Sequence, residues 1–136
     1  MFPLLMLVLV LDLNTIKSEP KLEKRSQLAL QFADSELDSA RDLYKKGQMD
    51  ACRTALSQVE TAVRLSYDSL MATGKDPRRN SRPFKEAEKS TRQMLRRLDS
   101  LSDLMSAFDR SVVEPVQHTV SEIHDDLITG IMGKKQ

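Results

Sequence analysis

Apolar side chains recur along this chain at intervals of three and four residues, in four stretches separated by glycine, proline or a run of charge. A period near 3.6 places such residues on one face of a helix, so each stretch predicts an amphipathic α-helix. The first covers about residues 20–46. Ala29, Phe32, Ala33, Leu37, Ala40, Leu43 and Tyr44 form its stripe, Ser18 is its expected N-cap, and Gly47 supplies the left-handed residue that stops it. The second covers about 51–73, with Asp50 as expected N-cap and Cys52, Ala55, Leu56, Val59, Ala62, Val63, Tyr67 and Leu70 on one face.

The stretch Lys75 to Pro83 carries two prolines and interrupts the pattern. The third predicted helix, about 82–109 and capped by Asn80 or Ser81, has the most regular seam: Phe84, Ala87, Thr91, Met94, Leu98, Leu101, Met105 and Phe108. The fourth, about 112–131, carries Val113, Val116, Val120, Ile123, Leu127 and Ile131. Ser111 and Glu114 have the spacing of a capping box at its start, and Pro115 falls in its first turn. Short connections at Gly47 and at Asp109–Ser111 fold consecutive helices back on each other. The predicted fold is all-α: an antiparallel four-helix bundle built from two stacked αα-hairpins.

Ahead of this unit, Phe2 to Leu13 read as an apolar run broken only by Pro3 and Asp12. It is shorter than the roughly 20 residues that span a bilayer and matches the apolar middle of a secretory signal. No basic residue precedes it and no clean small-x-small cleavage site follows. The expected organisation is a leader over 1–19, a bundle domain over 20–133 and a tail over 134–136. The expected location is exported, periplasmic or extracellular, with membrane tethering by an uncleaved leader as the alternative.

Composition narrows the chemistry. Cys52 is the one cysteine, which excludes an internal disulfide, and its place between Ala51 and Ala55 reads as a buried small apolar side chain. Phosphate loops, nucleophile elbows, Cys-x-x-Cys and His-Glu-x-x-His patterns do not occur. His118 and Glu122 share a helix face at a spacing that can hold a metal. His124 points elsewhere, however, and a structural zinc site needs about four ligands. The expectation is therefore no enzyme, no cofactor and no metal site.

Net charge is only +1, but it is unevenly spread. Residues 75–97 hold nine basic and three acidic side chains, and 98–133 hold one basic and seven acidic. The basic stretch offers Arg78, Arg79, Arg82, Lys85 and Lys89 as candidate contacts for an anion or partner, continued by Arg92, Arg96 and Arg97. The competing expectation is internal: in an antiparallel hairpin, Lys89 to Arg97 would meet Glu122, Asp125 and Asp126. With Phe84 on the seam, no aromatic side chain is left to interleave with the basic stretch, which argues against nucleic acid. Membrane contact is expected only through an uncleaved leader.

Ala40 to Val59 (ARDLYKKGQMDACRTALSQV) resembles the helical hairpin of a tetratricopeptide repeat, with Ala40, Tyr44, Gly47 and Cys52 at its small, aromatic, turn and small positions. No second copy follows at the repeat's period of about 34 residues. Residues 84–131 resemble small exported bacterial helical proteins of unassigned function, in their Arg-rich start and Asp-Asp-Leu-Ile-x-Gly end. The first resemblance implies a protein-interaction scaffold. The leading expectation is a non-catalytic exported protein acting on an unidentified protein partner or by self-association. The alternative is a module binding anionic lipid, phosphate or nucleic acid through the basic stretch.

Overall fold

Four long helices form where the apolar stripes predict them. The computed structural model describes residues 12–133, so the tail and almost all of the apolar run from Phe2 lie outside the described residues. In chain order the elements are α1 (Leu13–Lys17), α2 (Leu22–Lys45), α3 (Met49–Ala72), α4 (Ser81–Leu104), a 3₁₀ turn (Asp109–Val112) and α5 (Glu114–Met132). Helices α2 and α3 form one antiparallel hairpin, and α4 and α5 the other. The hairpins stack with α2 against α4 and α3 against α5, giving an antiparallel four-helix bundle.

Each long helix turns its stripe inward. Leu37, Leu56, Val59, Leu70, Phe84, Met94, Leu98, Val120 and Leu127 are buried in one core. Gly47 and Gly74 follow α2 and α3 at positive φ, the conformation that stops a helix without a Cβ penalty. Four hydroxyls enter the core with partners. Ser26 and Ser66 share a hydrogen bond of 2.7 Å between α2 and α3, Thr91 donates to the Ala87 carbonyl, and Thr119 donates to Glu60. The buried Ser69 hydroxyl has no such partner.

Element ends depart from the sequence reading at several points. Ser18 does not cap α2, whose N-cap position is Lys21. It closes α1 instead, a short helix capped by the Asp12 carboxylate and seated on α2 through the buried Ile16. Packed structure therefore begins by Leu13, inside the segment read as leader. Asp50 lies in the first turn of α3 and pairs with Arg53, while Gln48 takes the N-cap position. Asn80 is the N-cap residue of α4 and makes no side-chain capping bond.

The largest departure is at the far end of α4. The seam predicts helix to residue 109, but the chain leaves it after Leu104 and Met105 is extended. Helices α2, α3 and α4 are each 24 residues long, so five more would carry α4 about 7 Å beyond its neighbours. The Tyr44 hydroxyl at the end of α2 fixes the turn instead, accepting from the Ser106 N–H and donating to Asp109. Met105 still reaches the core, whereas Phe108, expected on the seam, is 89% exposed. The expected capping box is absent, because the Ser111 hydroxyl donates to the Phe108 carbonyl and α5 starts behind the buried Val113.

Candidate functional site

The outer face of the α4–α5 hairpin holds a groove of about 410 Å³, lined by Lys85, Glu88, Lys89 and Arg92 of α4 and by Ile128, Ile131 and Met132 of α5. Its apolar floor follows from helix geometry. Leu127 and Ile128 are neighbours on α5 and point about 100° apart round its axis. Leu127 is buried, which turns Ile128 outward, and Met132 lies one turn further on. They are 38% and 76% exposed, in a protein that otherwise buries most of its large apolar side chains.

The two banks of the groove are formed by α4 and α5, and the charged residues among its lining are all on α4. Lys85, Lys89, Arg92 and Arg96 recur at intervals of four, three and four, so they form one stripe along the exposed side of α4. On α5, Asp125 and Glu122 are exposed but do not line the groove, while Asp126 faces Tyr67 of α3. Between the banks, Glu88 accepts two bonds from Arg92, at 2.9 and 3.1 Å, and lies 2.8 Å from His124 Nε2. Those partners, Arg92 first, hold the Glu88 carboxyl below its ordinary range against the opposing effect of burial.

The sequence-predicted basic residues divide into two groups. Lys85 and Lys89 line the groove. Arg78 and Arg79 lie apart from it in the loop before α4, and Arg82 in the first turn of that helix. Arg78 and Arg79 sit 3.6 and 4.0 Å from Asp76, which also accepts the Arg78 backbone N–H, and Arg82 sits 3.8 Å from Glu86. Arg78 also packs along the backbone of Gly133, where a Cβ would come within 2.6 Å of its side chain.

The expected pairing of Lys89 to Arg97 with Glu122, Asp125 and Asp126 does not form. Among the described residues no Lys or Arg of α4 pairs with an acid of α5; Glu88–His124 and Asp99–Gln117 are the polar links between these helices. Arg97 turns to the other hairpin, where it bonds Asp34 at 3.1 Å and also meets Asp38. The physical reason is rotational. Arg97 lies on the side of α4 that faces α2, and Lys85, Lys89 and Arg96 lie on its exposed side, where the α5 residues lining the groove are apolar. Among the described residues those three cations make no ion pair.

Other polar groups have structural partners or none. His118 lies 3.1 Å from Glu122 on the open surface of α5, and His124 is separate from them, turned to Glu88. Cys52 is fully buried, and that burial pushes its thiol upward. A second concavity of about 430 Å³ sits at the opposite end of the bundle, lined by Tyr44, Lys45, Gly47, Met49, Leu104 and Asp109. Its Tyr44 and Asp109 are engaged in holding the α4–α5 turn.

Sequence reasoning placed Lys85 and Lys89 but missed Ile128 and Met132. The available signal was that Ile128 and Met132 fall off the stripe of Val116, Val120, Ile123, Leu127 and Ile131. Comparison with models of known families, with curated proteins and with solved structures finds no match.

Proposed function

We propose that this chain is a non-catalytic, exported helical module that acts by protein association, and that the outer face of the α4–α5 hairpin is its association surface. The observation that carries this reading is the groove itself, with exposed Ile128 and Met132 on one side and Lys85, Lys89 and Arg92 along the other. Exposed apolar side chains rimmed by charge are the ordinary composition of a protein-binding patch. The polar groups nearest the floor, Glu88, Arg92 and His124, bond to one another, which suits a fixed wall better than a set of reacting groups.

Export is inferred from the apolar run starting at Phe2. Because Ile16 is buried against the bundle, processing that leaves the domain intact falls before Leu13. The alternative of an anionic ligand on Arg78, Arg79, Arg82, Lys85 and Lys89 has less support. Three of these have carboxylate neighbours, and the other two stand beside the apolar Ile128, Ile131 and Met132.

Lysine footprinting tests the reading. Acetylation of Lys85 and Lys89 in the native cell fraction is expected to be at least about threefold slower than in dilute purified protein. Lys24, an exposed lysine of α2, is expected to react equally in both. Equal reactivity at all three lysines would remove the proposed surface.

A further inference from the structure

We propose that the α4–α5 groove receives an amphipathic helix of a partner protein, with apolar residues on its inner side and carboxylates along the flank that faces α4. The inference rests on the reading of this face as an association surface and specifies what docks there.

Charge decides the sign of the occupant. The groove is lined by three cations, Lys85, Lys89 and Arg92, and by one acid, Glu88. Glu88 is already engaged by Arg92 and His124, so it does not neutralise the two lysines. Among the described residues neither lysine has an ion pair, nor does Arg96, the next member of the stripe. The α5 side of the lining is wholly apolar. A complementary occupant therefore carries acids on one flank and apolar groups against Ile128 and Met132.

Spacing decides its form. Lys85, Lys89, Arg92 and Arg96 extend along α4 for about 16 Å and do not converge on a point. A phosphate or other compact anion cannot reach them all, whereas a row of carboxylates can. That row belongs on a helix. Among the described residues there is no strand edge, so an extended peptide would bury its own N–H and C=O groups against Ile128 and Met132 without partners. A helix satisfies those groups internally and repeats its side chains at the three- and four-residue intervals of the α4 cations. Two packed helices also offer the trough in which the ridge of a third one seats. A flat anionic membrane is a poorer match, because a surface broad enough to touch both helices would also approach the exposed Asp125 of α5.

Carbodiimide coupling, which joins a lysine amine to a carboxylate in direct contact, tests the proposal. The chain is coupled in its native cell fraction and as dilute purified protein, and the linked peptides are sequenced. Lys85 and Lys89 are expected to form amides with Asp or Glu of one partner segment, in the native fraction only. That segment carries its acids at intervals of three and four beside a row of apolar residues, and Lys24 forms no such link. The yield is expected to fall at least about fivefold when about 0.5 M salt is present during coupling. It falls as far in the variant Ile128→Glu, which keeps both lysines and whose helicity is checked by circular dichroism. Links to a second copy of this chain, links to a segment without that pattern, or a yield unchanged by salt and by Ile128→Glu would overturn the proposal. Slowed acetylation of Lys85 and Lys89 without any link, as a lipid or nucleic acid would give, would retain the association surface and reject an acidic helix as its occupant. Equal acetylation in both samples would remove the surface itself.

Discussion

Three buried serines of the α2–α3 hairpin differ in what their hydroxyls touch. Ser26 and Ser66 satisfy each other at 2.7 Å, while Ser69 is buried with no partner. A buried hydroxyl deprived of its partner costs about 1–3 kcal/mol, whereas removing one already without a partner costs little or stabilises. Ser66→Ala is therefore expected to destabilise by about 1–2 kcal/mol, and Ser69→Ala to leave stability unchanged or raise it. Urea denaturation checks the pair, and equal losses from both would contradict the assignment. Neither role is legible in the sequence, where both serines fall among the apolar positions of one stripe.

At the scale of elements, the sequence pattern shows which residues lie on the inner side of a helix but not where the helix stops. Phe84 and Phe108 occupy equivalent seam positions at the two ends of the third stripe. Phe84 is buried and Phe108 stands in solvent, because the Tyr44 hydroxyl holds the chain in a turn before the seam is complete. Burial by neighbours that are distant in sequence decides the difference, and no local signal carries it. Phe84→Ala is expected to cost about 3–5 kcal/mol and Phe108→Ala less than about 0.5 kcal/mol. Thermal unfolding of the two variants checks this, and a comparable loss at Phe108 would place it in the core after all.

The Arg97 contact with Asp34 and Asp38 was hidden for a related reason. It joins the two hairpins, and only the stacking of α4 on α2 brings these residues together. Half-burial pushes the Asp34 carboxyl up, and the Arg97 guanidinium only partly offsets that effect. The pair accordingly serves to fix how the hairpins stack more than to add stability. The four stripes, the glycine stops and the hairpin order were all readable from residue spacing. The direction of each cation on α4 was not, since it depends on which neighbours flank the helix.

For the molecule as a whole, the exposed large apolar side chains fall in separate places: Leu104 and Phe108 at the α4–α5 turn, Met71 at the end of α3, and Ile128 and Met132 at the α4–α5 groove. The first hairpin is closed by α1 on one side and by the stacked second hairpin on the other. The second hairpin leaves Ile128, Met132 and the α4 cations open to solvent. Half of this site was visible in the sequence as charge segregation. The apolar half required knowing that Leu127, and not Ile128, takes the inward position.

The most direct measurement of the central claim is photo-crosslinking from position 128 in the cell fraction that holds the native protein. A photoreactive residue in place of Ile128 is expected to yield one discrete adduct of higher mass. The same residue in place of Arg64, on an exposed face of α3, is expected to yield none. Diffuse labelling from both positions, or no adduct from position 128, would show that the α4–α5 face meets only water.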